Sequence, residues 1–238
     1  MNTATNDSYT RTIFVPIYHR PQARNVLRTD IFKLLSQNPK TRVVVFIPEM
    51  KLEEYSKEFS ADNVILETIT EPPFSVSKLD ALFGRLSLFY IDTPTARLYR
   101  KLWILLDGKK PIRYAVSMFF LILFGNIRIL RMITRFFDFH LVKNTMFSEF
   151  FDKYHPDLIF LPNVALKTER QFLRIAKRRG VMSVGMINSW DNISSSKFPF
   201  RLLPDKLIVH NEIIQHEAVD YLDMKKQDIY VSGIPHFD

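Results

Sequence analysis

Cysteine is absent from the 238 residues. That removes any disulfide framework, thiolate nucleophile or cysteine-based zinc site, and it suits a reducing compartment. Glycine is scarce: the six lie at 84, 108, 125, 180, 185 and 233, and none falls in a GxGxxG or GxxxxGK spacing. No strand-to-helix turn built to cradle a dinucleotide or a P-loop phosphate is therefore expected, and no cofactor is assigned to the chain. The six histidines form no HExxH and no convincing ligand spacing, so no metal site is read from them. A GxSxG nucleophile elbow is missing too. The N-terminal stretch MNTATNDSYTRT has no apolar h-region, and no secretory signal is expected. The longest uninterrupted apolar run, AVSMFFLILFG (115–125), falls short of the roughly 20 residues a spanning helix needs.

What is present points to a packed α/β core. Apolar residues make up 47% and charged residues 24%, enough for one large domain or two small ones. Short apolar, β-rich runs recur: RTIFVPIYH (11–19), RVVVFIPE (42–49), NVILETI (63–69), DLIFLP (157–162), VMSVGMI (181–187), KLIVH (206–210) and IYVSG (229–233). Helical stretches separate them. One of about 15 residues follows the first strand, with Val26, Leu27, Phe32, Leu34 and Leu35 on its apolar side. Others cover 51–59, 167–180 (closed by Gly180 as C-cap) and 212–222. Fully apolar strands alternating with helices predict a Rossmann-like parallel sheet with helices on both faces. Residues 76 to about 152 contain nothing strand-like, and two or three long helices are expected there as an insertion into a single domain.

In an open α/β sheet, ligands bind at the carboxyl ends of the strands, near the switch in strand order. Four loops leave strand ends on that edge: 18–20, 162–163, 189–192 and 211–212. The third belongs to NSWDNISSSK (188–197), where a tryptophan sits among small polar residues. Trp190 offers a flat face for a sugar ring or an isoprenoid, or else plugs the sheet edge. His19 is a candidate general base toward a sugar hydroxyl, or a surface histidine at a strand end. Asp191 is a candidate base or orienter, or the first residue of an Asx-turn with Asn192. Lys197 and Arg201 either meet a diphosphate or are solvated. Asn211 is placed to N-cap the following helix, near which an anionic group would be favoured.

The net charge of +8 is local. Between Arg97 and Arg135 lie nine basic residues and one acid, Asp107, while the remainder has 24 of each sign. Arg128, Arg131 and Arg135 share one helical face, and Ile127, Leu130, Ile133, Phe136 and Phe137 occupy much of the rest. A basic stripe beside an apolar one fits a helix lying in a membrane interface, with Arg113, Arg128, Arg131 and Arg135 toward anionic headgroups. It fits equally a helix packed on its neighbours with arginines in solvent, and both readings stand. Nucleic acid is not expected as a partner, because the segment is too apolar and no binding signature occurs.

The order SWDN (189–192), Lys197, PDKLIVHNEIIQHEAVDYL (204–222) and IYVSGIPHFD (229–238) resembles the N-terminal half of GT-B-type glycosyltransferase-like proteins of bacterial surface-polysaccharide synthesis. The resemblance covers mainly 155–238 and leaves out the helical insertion. It implies an acceptor-binding half acting on a lipid-linked or polysaccharide acceptor at the cytoplasmic face of the membrane, to which it would attach peripherally. His19 and Asp191 would be catalytic, and Ser189, Trp190, Asn192, Lys197 and Asn211 would bind substrate. In such proteins the GxPxFD segment leads into a second domain that holds the nucleotide-sugar. The donor is thus expected on a C-terminal domain or partner subunit beyond these residues, and the chain alone is expected to be inactive. Sugar-nucleotide 2-epimerases share the two-domain plan, and a non-catalytic scaffold of a polysaccharide-synthesis complex is a further alternative.

Overall fold

A computed structural model describes residues 9–72, 77–106, 111–195 and 200–234, with residues 103 and 105 described by their backbone alone. Seven strands form one sheet in the order β3-β2-β1-β4-β5-β6-β7. They are β1 (Arg11–Pro16), β2 (Thr41–Pro48), β3 (Val64–Ile69), β4 (Leu158–Leu161), β5 (Met182–Met186), β6 (Lys206–Val209) and β7 (Ile229–Val231). Every pairing is parallel, so the expected Rossmann-like α/β fold is the observed one. The order reverses between β1 and β4. That places the switch point between the loop after β1 and the loop after β4.

The apolar runs are continuous because both faces of each strand are covered. Val43, Val45 and Ile47 point into one layer, and Val44 and Phe46 into the other. Helices α1 (Arg20–Val26), α2 (Asp30–Ser36) and α3 (Leu52–Glu58) cover the first face, with Ala23, Val26, Phe32 and Tyr55 in its core. The opposite face carries α8 (Ser148–Tyr154), α9 (Lys167–Arg179) and α10 (Glu212–Leu222). Phe172 of α9 is its centre: it stacks on Phe147 at 4.4 Å and lies 4.7 Å from Phe46.

Two expectations about helices need correction. The single 15-residue helix after β1 is two, because the Thr29 hydroxyl bonds the carbonyls of Asn25 and Val26 and ends the first. Leu34, expected on the apolar side, is exposed. Between β3 and β4 the two or three long helices expected are, among the described residues, five: α4 (Lys78–Ser87), α5 (Pro94–Leu106), α6 (Pro111–Phe124), α7 (Arg128–Leu141) and α8. Pro94 and Pro111 stand at the first position of α5 and α6, where a missing N–H costs nothing. Helices α6 and α7 meet at a bend of 100°. Asn126 makes that bend with φ of 62°, and its side chain pairs with both backbone groups of Asp92.

A buried ionic cluster fastens these helices to the sheet layer. Asp138 of α7 accepts from Arg174 of α9 at 2.7 Å and from Arg201, before β6, at 2.6 and 2.9 Å. Arg201 also meets Asp80 of α4 at 2.7 Å, and all four side chains are essentially inaccessible. Arg201 is therefore neither solvated nor placed for a diphosphate.

Candidate functional site at the carboxyl edge of the sheet

The loop after β5 folds on itself. The Asn192 side-chain oxygen accepts from the N–H of Asn188 and Ser189, at 3.2 and 3.0 Å. Asn192 is buried, and Ile193 is completely so. This internal staple turns the loop outward before Ile193 plugs it into the core. Trp190 is left 67% exposed, so the alternative of Trp190 as the plug does not hold; Ile193 has that role. Ser189 Oγ donates to Asp191 Oδ1 at 2.5 Å, so Asp191 is oriented beside the tryptophan. Asn192, proposed to contact substrate, has its side-chain oxygen committed to the loop.

Two further ties fix the loop. Asn25 of α1, itself buried, hydrogen-bonds the side chain of Asn188, bridging from the β1 side past the end of β4. Thr93 donates to the Ser194 carbonyl while accepting from the N–H of Ala96 in the first turn of α5. The helices between β3 and β4 are thereby coupled directly to the tryptophan loop.

Glu217, in α10, completes this side of the edge and was not singled out from the sequence. Its carboxyl is pushed above the ordinary range, first by burial and also by the negative charge of Asp191, against a hydrogen bond from Ser194. Its Oε2 is buried with no partner among the described residues. Asp191 and Glu217 are thus two acidic side chains on the same side of the edge, with burial disfavouring the charged form of Glu217. Nothing about Glu217 in its helix sequence marks it, since a glutamate there suits any solvated helix.

The switch point has a second group of unsatisfied atoms. Gln22 Oε1 accepts from the N–H of Tyr18 and His19, at 2.9 and 2.6 Å, which shapes the turn after β1. Its Nε2 is buried without a partner among the described residues, as are Thr168 Oγ1 and both carboxyl oxygens of Glu169. Gln22 is the third residue of α1, and Thr168 and Glu169 are the second and third of α9. These helices lie on opposite faces and follow the two strands that flank the switch. Burial holds the Glu169 carboxyl well above its ordinary range. Buried polar groups without partners are uncommon in native folds and mark places where a ligand or water belongs.

The remaining candidates are dispersed. His19 is half-buried in an edge contact with Tyr18, and among the described residues no hydrogen bond or ion pair joins it to Asp191. Asn211 caps α10, its Oδ1 accepting from Ile214 N at 3.0 Å, and it is exposed. Lys197 lies outside the described residues. Among the described residues no three His, Asp or Glu side chains converge as a metal-ligand set.

The arginine stripe of α7 is oriented opposite to the membrane expectation. Arg131 is 3% exposed and holds Asp223 through two nitrogens, at 3.0 and 2.7 Å. Arg135 bonds Asp223 at 2.8 Å and the carbonyls of Phe200 and Leu222. Both face the end of α10, so neither belongs to a lipid-facing surface. Arg128 and Arg113 are exposed.

No family model and no curated protein matches the chain.

Proposed function

We propose that the carboxyl edge of the sheet is an acceptor-binding cleft of a glycosyltransferase of GT-B type, taking a lipid-linked or polysaccharide acceptor. The observation that carries this reading is the exposed Trp190 next to Asp191, which Ser189 orients, with the buried, unpartnered Oε2 of Glu217 on the same side of the edge. An exposed indole gives a sugar ring an apolar face to lie on, while the neighbouring carboxylates accept hydrogen bonds from its hydroxyls. In transfer, a carboxylate takes the proton of the attacking hydroxyl as the hydroxyl oxygen bonds the anomeric carbon of the donor and the nucleoside diphosphate leaves. Asp191 is the base in this reading, Glu217 lies on the same side of the edge, and His19 serves at the switch-point side. The nucleotide-sugar comes from a domain or partner outside these residues, closing over the same edge.

The test is calorimetric titration of the chain with saccharide fragments of candidate acceptors. Binding is expected, and Trp190→Ala should weaken it about tenfold, equivalent to about 1.4 kcal/mol. Preferential binding of a nucleotide-sugar, with Trp190→Ala silent, would reject the acceptor assignment. In a complete protein carrying a donor domain, Asp191→Asn and His19→Gln should suppress transfer. Full tolerance of both would favour the scaffold alternative, and reversible interconversion of nucleotide-sugars would favour the 2-epimerase type.

A further inference from the structure

The most unusual surface of the molecule is the outer side of α6 and α7. With Arg131, Arg135 and Asp138 turned inward, the outward stripe of α7 is Ile129, Met132, Ile133, Phe136, Phe137 and Leu141, all exposed. On α6 the exposed residues include Ile112, Val116, Phe119, Ile122 and Leu123. Ile112, Val116, Phe120 and Phe124 of α6 line an apolar groove of about 530 Å³ together with Leu86, Phe89 and Tyr90, and Leu130 of α7 reaches it. Apolar faces this extensive mark a contact with another phase or partner.

We infer that α6 and α7 insert side-on into one leaflet of an anionic lipid bilayer, with their apolar faces among the acyl chains. Three observations select lipid. First, cations flank the faces: Arg113 and Arg128 are exposed, Arg128 reaching Asp223 only at 3.7 Å. Exposed cations at that position complement phosphate headgroups at the edge of an inserted helix. Second, each helix has 14 residues, about 21 Å at 1.5 Å per residue, against a hydrocarbon core of about 30 Å. Among the described residues no single helix is long and apolar enough to cross a membrane.

Third, the 100° bend is fastened and does not open into a span. Asn126 pairs through its side chain with Asp92 N and O, at 3.0 and 2.9 Å, and its N–H bonds the Tyr90 carbonyl at 3.1 Å. Straightening the pair would break all three bonds. Two helices meeting at a fixed angle define a plane, and both can lie in the interface together. The groove between α6 and residues 86–90, lined mainly by apolar side chains with Arg113 and Ser117 among them, has the size for one lipid chain. This extends the acceptor reading by supplying the surface on which a lipid-linked acceptor is met, but it stands on the helices alone.

The experiment is flotation of the whole chain with vesicles of phosphatidylcholine, with and without 30% phosphatidylglycerol, free of any acceptor lipid. Flotation is expected with both, stronger with the anionic vesicles, and reduced only about two- to threefold by 0.5 M salt, because burial of apolar area dominates. Phe119→Ser with Phe137→Ser should lower it at least about tenfold with circular dichroism unchanged, while Asp191→Asn floats like the wild type. The absence of cysteine permits a second measurement on the folded chain: an environment-sensitive dye on Phe137→Cys should shift to the blue with vesicles. No flotation would overturn the inference. So would flotation confined to anionic vesicles, abolished by salt and indifferent to the phenylalanine changes. Self-association through the same residues, with no dye response to vesicles, would overturn it in favour of a protein partner.

Discussion

Glu169 is a residue whose chemistry is set by its surroundings. Neither carboxyl oxygen has a partner among the described residues, and burial raises its pKa well above 4.5. The folded chain therefore holds a proton at pH values where the unfolded chain has released it, and stability falls as pH rises from about 4.5 through the raised pKa. Glu169→Gln should remove that fall and stabilise the protein at neutral pH. Denaturant midpoints measured from pH 4 to 8 check this; a parallel decline in both proteins would contradict it. Asp223 has the opposite sign. Burial works to raise its pKa, but Arg131 and Arg135 outweigh it and the pKa is lowered from 3.8. Its contribution is present above pH 3.8 and lost as the pH falls through the lowered value. Asp223 also closes α10 with φ of 63°, a conformation asparagine tolerates. Asp223→Asn should keep the helix end, flatten the acid limb of the stability profile and cost less than Asp223→Ala. The alanine leaves Arg131 buried without its charge partner, at about 3–5 kcal/mol.

Among elements, α7 shows why a sequence pattern and its meaning separate. The spacing of Arg128, Arg131 and Arg135 establishes one charged face, and it says nothing of what that face meets. Phosphate headgroups and a carboxylate nearly a hundred residues away satisfy the same stripe. The partner is Asp223, and α7 packs with its charges inward because Asp138 also finds Arg174 and Arg201 there. Asp138→Ala should cost about 3–5 kcal/mol by leaving the buried Arg174 guanidinium without a carboxylate and Arg201 with Asp80 alone. Loosening α4, α7 and α9 together, it should raise amide exchange in all three, whereas an exchange change confined to α7 would show that the cluster does not couple them. The tryptophan loop is the second case. An Asx-type turn within SWDN was legible from its residues, and Asn192 does staple it. That Ile193 takes the buried position, leaving Trp190 outside, depends on which way the chain leaves β5.

At the scale of the molecule, the aromatic layer under the sheet links the two regions, since Phe172 touches residues of both the strand layer and the segment before α8. Phe172→Ala should cost about 3–5 kcal/mol in a single cooperative transition, read by thermal unfolding with two spectroscopic probes. Local signals carried the parallel sheet. Uninterrupted apolar runs of strand length demand cover on both faces, and the Gly180 and Asn211 caps mark helix ends by conformational preference alone. The carboxyl-edge address of the Trp190 loop followed from that sheet. Three-dimensional packing alone decided which polar groups lost water. Glu169 and Glu217 are unremarkable as letters, and their altered proton affinity comes from burial by elements distant in sequence. Packing likewise turned Arg131 and Arg135 of α7 inward and Phe136 and Phe137 out, because amphipathic periodicity defines two faces but only the neighbours determine which one is covered.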